Sequence, residues 1–240
     1  MTSVAFMRNP KLVTLLFCGA TLHASVASAQ ACLGLPSFTV RPVHVVLAGE
    51  FPDSATSYAA GIGAGRHNRL FANLGAGQVS YQGYVEKATF GFLEFGVQFP
   101  VGMAQLCPIA GGYLASGPDD AAGPIKRTSR SAAAGGAIGL PLDVGFVELI
   151  PRAAVTYDYL SQKVDAEGFD SATETFNSGV VDVGLGFVFR DRFSVQPVVH
   201  MPFAGEDDKV SFGVFASASF GWPLGGFASR TPQKDAKRDG

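Results

Sequence analysis

The chain has 240 residues and a formal net charge of −2, and no Lys/Arg stripe interleaved with aromatics precedes its C-terminal tail, which argues against a nucleic-acid partner. Hydrophobic residues make up 47% but charged residues only 16%, against about 25% in an ordinary soluble domain, so there is too little charge to coat a water-facing surface of this size.

In chain order, Arg8 and Lys11 supply a basic start, residues 12–22 an apolar stretch, and Ala27-Ser28-Ala29 a small-residue cleavage site. Residues 1–29 therefore read as a secretory signal, with the mature chain starting at Gln30. Its removal takes two basic residues and no acid, so 18 basic residues become 16 against 20 acidic ones, about −4. Beyond it no apolar run approaches the roughly 18 residues of a spanning helix, so a membrane-embedded chain of this kind must be a closed β-barrel.

Residues 30–37 are expected to form a periplasmic N-terminal segment and 38–222 the barrel. Period-two alternation, punctuated by Gly, Pro, Asn and Asp, predicts ten strands. They run over 38–49, 56–66, 69–82, 88–99, 103–116, 130–140, 147–160, 176–189, 193–203 and 209–222. The last is the clearest: Val210, Phe212, Val214, Ala216, Ala218, Phe220 and Trp222 share one face, while Ser and Gly dominate the other, which carries no charge. An apolar face turned to lipid and a small, polar face turned to a narrow lumen fit a transmembrane strand. Connections alternate between tight turns and mostly longer loops, as when turns face the periplasm and loops the exterior. Pro42 and Pro108 interrupt two strands, so eight strands with an irregular N-terminal segment is the alternative count. Residues 223–240, charged and almost without apolar side chains after Phe227, are expected to be a disordered periplasmic tail.

These features place Tyr58, Tyr81, Tyr157 and Tyr159 in an outer aromatic girdle and Phe187, Phe189, Phe220 and Trp222 in an inner one. From residue 30 to Trp222 the pattern resembles the bacterial outer-membrane β-barrel family of small porin-like proteins. The resemblance implies an all-β, antiparallel up-and-down barrel among outer-membrane lipid and lipopolysaccharide. It also implies insertion by the barrel-assembly machinery, which reads an aromatic ending the final strand, a role for Phe220 or Trp222.

Cys18 leaves with the signal, and Cys32 and Cys107 fall at the same side of the barrel in an oxidising compartment, so a Cys32–Cys107 disulfide is expected. Two lone cysteines lack the companion ligands zinc needs, and the glycine strings at 61–65 and 184–186 continue as strands, so neither metal nor nucleotide cofactor is expected. The ionisable residues of the inferred lumen are Glu94, Arg152, Asp158, Asp182 and His200, with His44 less securely placed. In a narrow barrel such charges pair, Arg152 with Glu94 or Asp182. A small envelope, adhesion or narrow solute-passage barrel follows, without enzymatic activity. One alternative is a soluble lipocalin-like barrel with its Phe-rich faces inward. Another is an outer-membrane hydrolase using His200 with Asp158 or with Glu206, Asp207 and Asp208. The omptin proteases are similar in strand count and in an acidic, His-bearing outer rim, but their fuller catalytic set has no match here.

Overall fold

A computed structural model describes residues 31–35, 41–66, 69–82, 86–117, 125–166, 170–190, 192–205 and 209–221. The expected signal sequence, Glu206 to Asp208, Trp222 and the tail lie outside them. Twelve strands are present: β1 Val43–Phe51, β2 Ala55–Gly65, β3 Leu70–Tyr81, β4 Ala88–Val97, β5 Phe99–Val101, β6 Ala104–Ser116, β7 Ile125–Gly139, β8 Leu142–Asp143, β9 Val147–Ala166, β10 Ala172–Phe189, β11 Phe193–Ala204 and β12 Ser211–Phe220. The short β5 continues β4 past Gln98 and pairs with β6, and β8 continues β7 and pairs with β9, so the barrel has ten staves. All pair antiparallel with their sequence neighbours. The sheet closes where β1 meets β12, in register from Val43 opposite Phe220 to Phe51 opposite Phe212. The eight-stranded alternative is thereby corrected: Pro108 is accommodated within β6, opposite Gly136 of β7.

The alternation of the sequence becomes the two faces of the wall. On β12, Phe212, Val214 and Phe220 are exposed while Ser217 and Ser219 are buried, and on β1 Leu47 is exposed while His44 is fully buried. The inversion is general. Leu70, Leu74 and Leu114 are 66%, 58% and 70% exposed, whereas His44, Gln98, Gln105 and Gln196 are among the largest fully buried side chains. Burying such a Leu is worth about 1.5–3 kcal/mol, so a whole belt of them left in water would oppose folding. The same belt in a bilayer is at home.

Several expected boundaries move. The first strand begins at Val43 rather than 38, and the loops expected over 117–128 and 161–175 are partly strand, since β7 starts at Ile125, β9 runs to Ala166 and β10 starts at Ala172. Polar residues on both faces read as loop in sequence. Above the membrane both faces of a hairpin are wet, and the pairing of Val164 with Ala172 and of Lys163 with Thr173 and Thr128 satisfies the backbone there.

The apolar core lies inside the barrel and is built around the N-terminal segment. Residues 31–35, expected beside the barrel floor, enter the lumen: Ala31 and Cys32 are fully buried, and Leu33 and Leu35 nearly so. Cys32, Leu33 and Leu35 pack with Phe71, Cys107, Ala137 and Ala154, while Ala31 packs with Ile150 and Val188. A disulfide joins Cys32 to Cys107 on β6, the Ala31 amide donates to Gln105 Oε1 at 2.9 Å, and Gly34 turns the segment with φ +63°. Gly139 of β7 leaves room for the segment, because a Cβ there would collide with the Ala31 carbonyl. The staple closes a long loop, so Cys32→Ser should destabilise the folded barrel by about 2–4 kcal/mol. Equilibrium unfolding from detergent micelles, compared with the oxidised wild type, measures it, and the reduced wild type should match the variant.

Candidate functional site in the barrel lumen

Every second residue of each stave faces inward, and the register sets which inward side chains meet. His44 on β1 and Asn73 on β3 flank Gly63 of β2 in one register row, and His44 Nε2 lies 3.0 Å from Asn73 Oδ1. Asn73 Nδ2 then donates to Glu94 Oε1 on β4 at 2.9 Å. The His44–Asn73 bridge passes over Gly63, where a Cβ would overlap both side chains. A strand carrying only hydrogen at that point lets its neighbours join across it.

A second row crosses β10, β11, β12 and β1. Asp182 and His200 are register partners, with Asp182 Oδ1 2.7 Å from His200 Nδ1. His200 Nε2 leans over Gly213, whose Cβ would lie 2.8 Å from it and 3.4 Å from Glu50 Cγ. Ser57 Oγ donates to Glu50 Oε2 at 3.5 Å.

Between the two rows sits Arg152 of β9, in Coulombic range of both Asp182 and Glu94 but without a direct ion pair to either among the described residues. With the Gln196 amide oriented to satisfy both neighbours, Arg152 Nη1 donates instead to the Gln196 side-chain oxygen at 3.1 Å and the Gln196 amide nitrogen donates to the Leu33 carbonyl at 2.8 Å. Arg152 is thus tied to the N-terminal segment through Gln196. This differs from the expected direct pairing because the segment occupies the middle of the lumen and presents a carbonyl that needs a donor. Asp158 lies higher on β9, within the electrostatic reach of Asp182, and shares a cavity of about 210 Å³ with Glu94, Tyr113, Ser131 and Thr156. A smaller cavity, about 120 Å³, lies against Leu33 and Leu35.

All five expected lumen residues face inward, but Glu94 joins the His44–Asn73 row, Asp182 pairs with His200, Arg152 bonds to Gln196 and Asp158 stands apart, so they do not form one constellation. Asn73, Gln196, Glu50 and Tyr113, which belong to the same lumen, were not singled out in the sequence. Their uncharged or strand-end positions gave no contrast, although their inward parity could have placed them. Of the residues named for the hydrolase alternative, His200 bonds Asp182 and not Asp158, and Glu206, Asp207 and Asp208 lie outside the described residues. Among the described residues no group of three His, Cys, Asp or Glu could hold a metal.

On the outside, Tyr58, Tyr157 and Tyr159 are exposed at the long-loop end, and Phe189 and Phe220 at the short-turn end, with Phe187 half-buried beside them. Phe51 and Tyr58 meet edge to face at 6.2 Å. Tyr81 is a correction. It shares parity with Phe71 and Asn73 and so belongs to the lumen face at the rim, and the twelve-residue β3 carries that parity unbroken.

Filling the gap at Gly63 should break the first row. Gly63→Val is expected to cost about 1–3 kcal/mol through overpacking and loss of the His44–Asn73 bond, whereas Ala64→Val, on the outward face of the same strand, should stay within about 0.5 kcal/mol. Urea unfolding of the two variants from lipid vesicles checks the difference.

No protein-family model matches the chain, and no curated protein matches it in sequence. Solved structures similar to it include the N-terminal β-barrel domain of OprF from Pseudomonas aeruginosa, at 11% identity over 76% of this chain and 100% of that one, with a TM-score of 0.36. Ail, the attachment invasion locus protein of Yersinia pestis, aligns at 13% identity over 75% of this chain and 98% of that one, with a TM-score of 0.40. The translocator domain of the autotransporter NalP from Neisseria meningitidis aligns at 14% identity over 76% of this chain and 90% of that one, with a TM-score of 0.42. The chain's own geometry, ten closed antiparallel staves with an apolar exterior and a polar interior, is the architecture of a small outer-membrane β-barrel.

Proposed function

We propose that the protein is exported with loss of residues 1–29, is inserted into the outer membrane by the barrel-assembly machinery, and acts there in envelope structure or adhesion rather than in solute passage. The observation that carries this reading is the occupied lumen. Residues 31–35 are buried inside the barrel, bonded covalently to β6 and by hydrogen bonds to Gln105 and Gln196.

What remains free to act is the outer end. A stave needs about 9–11 residues to cross, while β9 and β10 have 20 and 18. Beyond Tyr159 they continue with β7 for about 20 Å of paired strand, a ledge carrying Lys126, Arg127, Arg130 and Lys163 alongside Asp165 and Glu174, with Lys163 paired to Asp165 at 2.7 Å. In this reading His200 and Asp182 are packing partners, and purified folded protein hydrolyses neither peptide nor lipid ester.

Planar-bilayer recording decides between stopper and pore. The oxidised protein should show no steady conductance, and a chain lacking residues 30–35 with Cys107→Ser should conduct. Steady current through the intact oxidised protein would sink the reading.

A further inference from the structure

At the long-loop end the wall is not of even height. β10 pairs with β9 over its whole length from Ala172 to Phe189, but its pairing with β11 begins only at Gly179, opposite Ala204. Gly205 then lies against Asn177 and Ser178, where a Cβ would fall 3.0 Å from the Asn177 carbonyl oxygen. Beyond that point residues 172–176 have a strand on one side only. The three residues between Gly205 and Lys209 are too few to run along about 17 Å of edge and return. Ala172, Thr173, Glu174 and Thr175 are accordingly exposed, four in a row.

The same approach tells which backbone groups face the open side. An antiparallel strand turns the N–H and C=O of one residue to one neighbour and those of the next residue to the other. The Asn177 carbonyl points towards Gly205, on the β11 side, so Thr175 and Thr173 turn their groups that way too, while Ala172, Glu174 and Phe176 bond to β9. Among the described residues nothing bonds to the edge-facing groups of Thr173 and Thr175. Nor does the Glu174 side chain pair there: its neighbour across β9 is Gln162, and Lys163 is taken by Asp165. Edge strands in water are commonly blunted by Lys or Pro, and residues 172–176 contain neither.

We propose that residues 172–176 are a docking edge for an extended segment of another protein, which adds to β10 as a strand and sets a basic side chain, flanked by apolar ones, against Glu174. The inference rests on the adhesion reading above and names the partner's chemistry. An incoming antiparallel strand exchanges up to four backbone hydrogen bonds with Thr173 and Thr175. Glu174 stands between them at a non-hydrogen-bonded position, where facing Cα atoms come within about 4.5 Å, so an acid opposite it is repelled and Lys or Arg is selected. Ala172 and Phe176, on the same face two residues to either side, select apolar partners. A second copy in the same membrane does not fit. The two would be related by an axis along the membrane normal, and strands each tilted by about 40° would cross at about 80° instead of lying side by side.

The probe is a fluorescent peptide, Thr-Val-Thr-Lys-Thr-Val-Thr with both ends blocked, whose Val, Lys and Val share one face. The full mature chain, oxidised and held in nanodiscs of phosphatidylcholine, is titrated with it and anisotropy is read against empty nanodiscs. Boiling-dependent gel mobility is the control for folding. The wild type should bind the peptide saturably, and about tenfold more weakly when Glu replaces its Lys. Glu174→Lys should reverse that preference. Thr175→Pro removes an edge-facing N–H that no stave of the barrel uses, so the mobility shift should survive while binding falls at least about tenfold. Absence of saturable binding by the folded wild type overturns the proposal, as does an unchanged preference in Glu174→Lys or undiminished binding by Thr175→Pro. Pairing of two barrels within one nanodisc that Thr175→Pro abolishes would give the edge to a second copy and also overturn it. A wild type without the mobility shift fails at the membrane-barrel reading itself, a result distinct from loss of peptide binding by a folded barrel.

Discussion

The pairing of β1 with β12 is the contact on which the rest of the molecule depends. A bilayer offers no partner for backbone N–H and C=O groups, and each one left unsatisfied there costs several kcal/mol. An open sheet of ten staves would present two such edges. Register pairing from Val43–Phe220 to Phe51–Phe212 removes both at once. Only after that closure does the alternation along each stave become an inside and an outside. An apolar residue such as Phe212 then faces lipid, while Ser217 and Ser219 on the same strand face the lumen.

Closure also creates a problem, because a ten-stave lumen is too narrow for full-sized side chains on every inward position and too polar to be left to apolar packing. Glycine answers the first difficulty. Bare backbone at Gly63 and Gly213 lets His44 reach Asn73 and lets His200 lean towards Glu50, so side chains bridge staves that are not neighbours. The N-terminal segment answers the second. Leu33, Leu35 and the disulfide fill the space near β6 with apolar matter, while Gln105 and Gln196 satisfy the segment's backbone groups. Arg152, linked to Leu33 through Gln196, joins the charged rows to that filling, so the interior is one connected packing problem rather than a channel with a separate lid.

The two ends of the wall differ in chemistry. Tyrosines and a paired, cationic ledge mark the long-loop end, where β7, β9 and β10 outgrow the membrane. Phenylalanines and arginines on tightly bonded turns mark the other. Aromatics with a polar tip suit a boundary where water and headgroups mix.

Much of this was legible along the chain. Alternation along the staves, clearest in β12, β10 and β11, gave away the strands, the ten staves and the inward parity of Glu94, Arg152, Asp158, Asp182 and His200, because a strand's side-chain period is a local property that each segment carries by itself. Two cysteines in a chain that reads as carrying a secretory signal were enough to anticipate their bond. Tertiary structure alone decided which inward residues meet. Asp182 lies 18 residues from His200, and Asn73 stands 29 from His44 and 21 from Glu94, so their contacts depend on the register between staves, which is a property of the closed sheet. It also decided that Tyr81 looks inward, that polar residues at 161–166 and 172–175 form strand, and that residues 31–35 fill the lumen instead of lying beneath it. Those outcomes turn on what surrounds a residue once the barrel is shut, and a linear pattern carries no record of that.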